Sequence, residues 1–144
     1  EFANNCLHLE KANSTEFDPE TPYKIIDYLP DQYKGIKMGG TMRLGNYECK
    51  LALGSKVHEL YKTDLIVERH RHRYEFNNEF KSQFEEKGMV FSGINPQTNL
   101  CEIIELKDHP FFVACQFHPE FKSRPLDPHP LLVGLLVASI KHEK

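Results

Sequence analysis

The sequence predicts an α/β domain, a sheet with helices laid over it, and three observations carry that expectation. Short β-rich runs outnumber amphipathic stretches, the two kinds are interspersed along the chain, and glycine or proline marks most junctions between them. A chain of 144 residues with 40% hydrophobic and 27% charged residues suits one globular domain or a large piece of one.

Phe2, Cys6 and Leu9 recur at helical spacing, so a helix is expected to end near Lys11, ahead of the polar run Ala12 to Thr15 and Pro19. That helix has no start of its own, and Glu1 is neither an initiator Met nor the head of a signal peptide, so sequence is expected upstream. Tyr23 to Leu29, closed by Pro30, and the loosely alternating Thr41 to Leu53 read as two strands around a Gly39-Gly40 turn. Val57, Leu60 and Tyr61 mark a short helix, and Leu65-Ile66-Val67 opens a strand that runs out into the charged segment Glu68 to Phe76. Phe80 and Phe84 lie one turn apart between the capping Asn77-Asn78 and Gly88, which predicts a helix over 78–87 with a buried Phe face. Met89 to Ile94, Leu100 to Leu106 and Phe111 to Phe117 are further β-rich runs, split by Asn95-Pro96 and Asp108-His109-Pro110. The last is apolar throughout, as an interior strand would be. After a proline-marked loop, Leu131 to His142 places Leu132, Leu135, Leu136 and Ile140 on one face, a helix expected to pack and close the domain.

Composition narrows the function. The net charge of −3 lacks the basic excess of a chain that neutralises phosphates, so no nucleic acid partner is expected. The longest nearly uncharged apolar stretch, Leu131 to Ile140, is too short to span a bilayer, so no membrane is expected. Cys6, Cys49, Cys101 and Cys115 are scattered without a CxxC pair, which argues against a structural zinc site and a disulfide scaffold and fits a reducing, cytoplasmic setting.

The chemistry concentrates at Phe117-His118-Pro119-Glu120-Phe121, where an apolar strand stops and presents a His and, two residues on, a Glu. A histidine there can take a proton from a nucleophile, with the carboxylate fixing its tautomer and stabilising the imidazolium. On spacing alone the pair is more often a solvated loop, since such pairs are common. A nucleophile would need a glycine-flanked strand-to-helix elbow, and none of the four cysteines has the small neighbours an elbow demands. Cys115, in an apolar run, reads as core filler. In Glu68-Arg69-His70-Arg71-His72-Arg73-Tyr74-Glu75 the arginines share one face of a strand and the histidines the other. An arginine fork there could clamp a carboxylate or phosphate, and a charged, solvated edge strand explains the pattern equally well. His70 and His72 lack a third ligand at regular spacing, so no metal is expected. Gly39-Gly40-Thr41-Met42-Arg43-Leu44-Gly45 could cradle an anion, although it matches neither a P-loop nor G-x-G-x-x-G.

Taken in order, Ala12-Asn13-Ser14-Thr15-Glu16-Phe17, Gly39 to Gly45, Glu68 to Glu75 and Cys115-Gln116-Phe117-His118-Pro119-Glu120-Phe121 resemble the motifs of the glutaminase domain of the CTP synthase family. The likeness runs from Ala12 through His129-Pro130. The first three motifs are specific to that family, and His-Pro-Glu is shared by class I glutamine amidotransferases. The resemblance implies a three-layer amidotransferase-like sheet with flanking helices, lacking its N-terminal part. It implies that His118 serves as general base and acid for a cysteine nucleophile with Glu120 orienting it, that Glu16 and Arg73 bind glutamine, and that Thr41 and Arg43 lie in the loop associated with GTP, the allosteric activator. A carboxylate suits an α-ammonium and a guanidinium an α-carboxylate.

The resemblance further implies a parent ligase of pyrimidine biosynthesis, a homotetramer when intact, whose synthetase domain uses ATP and Mg2+ to turn UTP into CTP with ammonia from glutamine; no cofactor is expected in these residues. Residues 1–144 are therefore expected to be the C-terminal portion of the amidotransferase domain, without the family's Gly-x-Cys-Leu-Gly elbow and inactive alone. With part of a parallel sheet removed, an open edge and an uncovered core face are expected. The alternatives are a regulatory protein or pseudoenzyme lacking the nucleophile, another class I amidotransferase, and a nucleic-acid strip along Arg69, Arg71, Arg73 and Tyr74.

Overall fold

The computed structural model of the chain describes residues 1–28 and 42–143. In chain order the elements are α1 (Phe2–Asn5), β1 (Asn13–Ser14), β2 (Lys24–Tyr28), β3 (Arg43–Leu51), α2 (Lys56–Tyr61), β4 (Leu65–His72), β5 (Tyr74–Phe76), α3 (Lys81–Glu86), β6 (Met89–Ile94), β7 (Cys101–Leu106), β8 (Val113–Cys115) and α4 (Pro130–His142). They form a mixed α/β fold with a three-stranded sheet ordered β1-β2-β5 and a five-stranded sheet ordered β4-β3-β6-β7-β8. The parallel pairing expected from the sequence is confined to β1 and β2; the larger sheet is antiparallel throughout.

The backbone of the site is the long pairing of β3 with β4, from Arg43 opposite His72 to Lys50 opposite Leu65. Burial alternates along β4 with the period of a strand: Ile66, Glu68 and His70 point inward while Leu65, Val67, Arg69 and Arg71 point outward. The opposite facing of arginines and histidines read from the sequence is therefore present. The inner row is not solvated, however, because Glu68 and His70 are buried.

Apolar packing forms two clusters. Ala3, Ile25, Phe76, Phe84, Met89, Phe91 and Cys101 make one, which draws in α1 and α3. Cys49, Leu51, Val57, Ile66, Ile103, Phe117 and Leu131 make the other, which draws in α2 and α4. The predicted helix over 78–87 opens as a 3-10 turn over Asn78–Phe80, with the Asn77 side chain accepting from Glu79 N–H, before α3 continues and Gly88 closes it at φ +89°. Among the described residues no helix is long and apolar enough to cross a membrane.

Four expectations are corrected. The first helix stops at Asn5 rather than near Lys11, because the Asn4 amide both donates to Ala12 O (2.8 Å) and accepts from Ala12 N–H (3.1 Å), tying the chain into a loop with His8 and Lys11 left-handed. The strands either side of Gly39-Gly40 belong to different sheets, so they are not a hairpin; the glycines themselves lie outside the described residues. The run Phe111 to Phe117 yields only the three residues of β8, at a sheet edge rather than in the interior. Finally, α4 packs through Leu131 and Gly134, not through its leucine stripe: a Cβ at Gly134 would stand 2.7 Å from Leu60 and 2.8 Å from Phe111, so the missing side chain is what permits this approach. Leu132, Leu135, Leu136 and Ile140 face outward, Ile140 at 70% exposure, an apolar stripe with no cover among the described residues.

Candidate active site

β8 ends at Cys115, and the chain turns through Gln116 and Phe117 into His118, which precedes a 3-10 turn over Pro119–Phe121. Proline at the first position of the turn fixes the backbone that carries the Glu. The predicted pair is formed: His118 Nδ1 lies 2.8 Å from Glu120 Oε1. With Nδ1 donating to a carboxylate, the neutral ring has its lone pair on Nε2. The Phe121 ring stacks on the imidazole at 4.9 Å between centroids, and the Arg69 guanidinium lies over the same Phe121 ring, 5.9 Å from its centroid. Glu120 is held below the usual carboxylate range, first by the hydrogen bond from His118.

The second predicted pair sits with the three-stranded sheet. Glu16 is exposed on the turn after β1, a turn pinned by buried Thr15, whose hydroxyl donates to Asp27 Oδ1 at 2.7 Å. Arg73 occupies the bend between β4 and β5, and its Nε is buried without a hydrogen-bond partner. Next to it, the Tyr74 hydroxyl meets the Tyr28 hydroxyl at 2.7 Å. That bond first, then burial, raises the Tyr74 phenol to about 12, with the charge of Glu16 adding slightly and Arg73 opposing. His118 N–H donates to Arg69 O (2.9 Å), four residues before Arg73, so His118 and Arg73 are tied to the same stretch of chain.

Arg43 and Thr41 fare differently. Thr41 lies outside the described residues. Arg43 points inward, 7% exposed, with Nη2 donating to Glu102 Oε1 at 2.7 Å and Nη1 reaching Glu75 at 3.3 Å. Burial alone would lower its pKa, yet the bond and charge of Glu102, then Glu75, raise it. The same burial pushes Glu75 up to about 7, against the pull of Arg43. Around them His70 falls to about 3 and His72 to about 4, chiefly through burial and then the Arg43 charge, so both rings are neutral near pH 7; His70 Nδ1 lies 2.7 Å from His72 Nε2. Arg43, read as part of an anion cradle, therefore belongs to a buried charge cluster. Sequence reasoning missed Glu102, and the available signal was a carboxylate within an apolar β run, which needs a buried cation.

Three of the four cysteines, Cys49, Cys101 and Cys115, are held toward the protonated thiol. Burial, then neighbouring carboxylates, raises Cys101 and Cys115 to about 12 and Cys49 further still. None of the four hydrogen-bonds to His118; Cys115 Sγ donates to Phe117 O at 3.5 Å. Among the described residues no group of three or more His, Cys, Asp or Glu is placed to hold a metal.

The His118–Glu120 pair follows β8, and the family model for class I glutamine amidotransferases matches residues 12–137. The chain belongs to that family. Its close relatives are CTP synthases: those of Caldanaerobacter subterraneus subsp. tengcongensis and Bacillus subtilis are 61% and 59% identical over 140 and 141 residues, 97% and 98% of this chain. The chain spans about a quarter of the length of these curated relatives, 26% of each. A solved structure, the Trypanosoma brucei CTPS glutaminase domain with bound acivicin, superposes with a TM-score of 0.89 at 32% identity, covering 99% of this chain and 56% of that one. The amidotransferase α/β fold expected from the motifs is thus present.

Proposed function

We propose that these residues supply the base and the substrate clamp for glutamine hydrolysis in a CTP synthase, with the ammonia used for ATP-dependent amination of UTP to CTP. The observation that carries this reading is the His118–Glu120 bond at 2.8 Å, set at a strand end in a chain whose relatives are CTP synthases. His118 Nε2 takes the proton of a cysteine thiol, the thiolate attacks the γ-carboxamide carbon, and the imidazolium returns the proton to the departing ammonia. The acyl-enzyme is then opened by water, with His118 again the base, releasing glutamate. Glu120 holds the tautomer and stabilises the imidazolium.

The nucleophile comes from a Gly-x-Cys-Leu-Gly elbow outside these 144 residues, which by themselves are inactive. Glu16 takes the α-ammonium and Arg73 the α-carboxylate through its guanidinium fork. GTP acts as activator through the Thr41 and Arg43 motif. ATP, Mg2+ and UTP belong to the synthetase part of the whole protein, which assembles as a homotetramer in the cytoplasm.

In the intact protein, Arg73→Lys keeps the charge and loses the fork, so KM for glutamine rises by roughly 10- to 100-fold, the equivalent of about 1.5–3 kcal/mol for bonds to a charged group. Steady-state glutamate release measures it. An unchanged KM would remove Arg73 from the clamp.

A further inference from the structure

The exposed His118–Glu120 pair cannot fix its own position, because a solvent-accessible ion pair contributes little. What holds it is the backbone behind it, and a buried cluster lies there that the proposed reaction does not use. Glu68, on the inner face of β4, is 3% exposed, and His129, the N-cap of α4, is 4% exposed. Tyr61, the last residue of α2, donates its hydroxyl to Glu68 Oε1 at 2.9 Å. His129 Nε2 stands 3.1 Å from the same oxygen and 3.0 Å from the Tyr61 hydroxyl.

The protons can be placed. Leu131 N–H donates to His129 Nδ1 at 3.3 Å, so the proton of the neutral ring is on Nε2, directed at Glu68 and Tyr61. One carboxylate oxygen thus gathers β4, α2 and α4. The cluster touches the loop of His118 in two places: the Phe117 ring, 3% exposed, packs on His129 at 6.2 Å, and His118 N–H donates to the carbonyl of Arg69, the neighbour of Glu68.

We propose that Glu68, Tyr61 and His129 form a positioning unit for His118, setting the height and direction of its imidazole through Phe117 and the β4 carbonyl. None of the three is among the residues assigned above to the base or the clamp. The inference rests on the glutaminase reading above and assigns it positioning residues.

The test uses the intact protein carrying these residues. Tyr61→Phe keeps the ring and removes the donor; His129→Leu removes the Nε2–H, and His129→Gln restores a donor at that end. Tyr61→Phe and His129→Leu are expected to lower kcat for glutamine hydrolysis by about 10- to 100-fold, the loss typical of a displaced catalytic group. KM for glutamine should change less than twofold, since neither substituted residue lies on the segments that carry Glu16 and Arg73. His129→Gln should recover most of the kcat. CTP formation from added ammonia should be unchanged, which separates repositioning from misfolding. Wild-type kcat in Tyr61→Phe and His129→Leu overturns the proposal, as does a parallel loss of glutamine- and ammonia-driven activity. A wild-type protein that releases no glutamate refutes the glutaminase reading itself.

Discussion

Replacing His118 by alanine in the intact protein is expected to lower the turnover of glutamine hydrolysis by on the order of 10⁴-fold or more, the loss seen when a triad base is removed. Ammonia supplied in solution bypasses the step, so CTP formation from ammonia should persist. Glu120→Gln should be milder, because an amide still holds the ring through Nδ1 and forfeits only the charge that stabilises the imidazolium. Glutamate release and CTP formation, measured side by side, check both outcomes. Equal loss of the two activities in His118→Ala would mean that His118 supports the fold rather than the chemistry.

The second large effect concerns Arg43. Arg43→Met leaves Glu75 and Glu102 facing one another in the interior with no cation, and breaking a buried pair in this way costs about 3–5 kcal/mol. The sign of its pH dependence follows from Glu75, which is already raised to about 7 in the folded chain. A carboxyl whose folded pKa lies above its unfolded value holds an extra proton in the native state, so stability falls as pH rises through that range. Without Arg43 both carboxyls rise further; the deficit should be greatest above pH 7 and shrink toward the ordinary carboxylate range. Adding Glu75→Gln and Glu102→Gln to Arg43→Met removes the stranded charges and should recover a large part of the loss. Denaturant midpoints at several pH values read this directly. A midpoint in Arg43→Met equal to wild type would show that the cluster carries no stability.

Much of this was legible in the sequence where local periodicity matched local structure. The inward histidines of β4, the capped helix after Asn77 and the His-Pro-Glu turn follow from alternation, capping residues and the fixed φ of proline. The errors have one physical origin, in that the deciding partner was remote. Nothing near Asn4 announces that its amide will bond Ala12, and nothing in the leucine stripe of α4 shows that Gly134 offers the closer approach to Leu60 and Phe111. Arg43 illustrates the same limit at the site. Its motif was read as a possible anion cradle, but two carboxylates 32 and 59 residues away draw it inside. The His118–Glu120 pair was readable because both members lie within two residues, whereas the cluster of Glu68, Tyr61 and His129 unites residues from three elements.

The central claim is that this chain provides the base and clamp while the nucleophile lies elsewhere in the protein. It is tested most directly by treating the intact protein with a glutamine analogue that alkylates the attacking thiol, then locating the modified cysteine by mass spectrometry. The account predicts a single modified cysteine outside these 144 residues, with labelling slowed by His118→Ala and by Arg73→Lys. Stoichiometric, glutamine-protected labelling of Cys6, Cys49, Cys101 or Cys115 would contradict it.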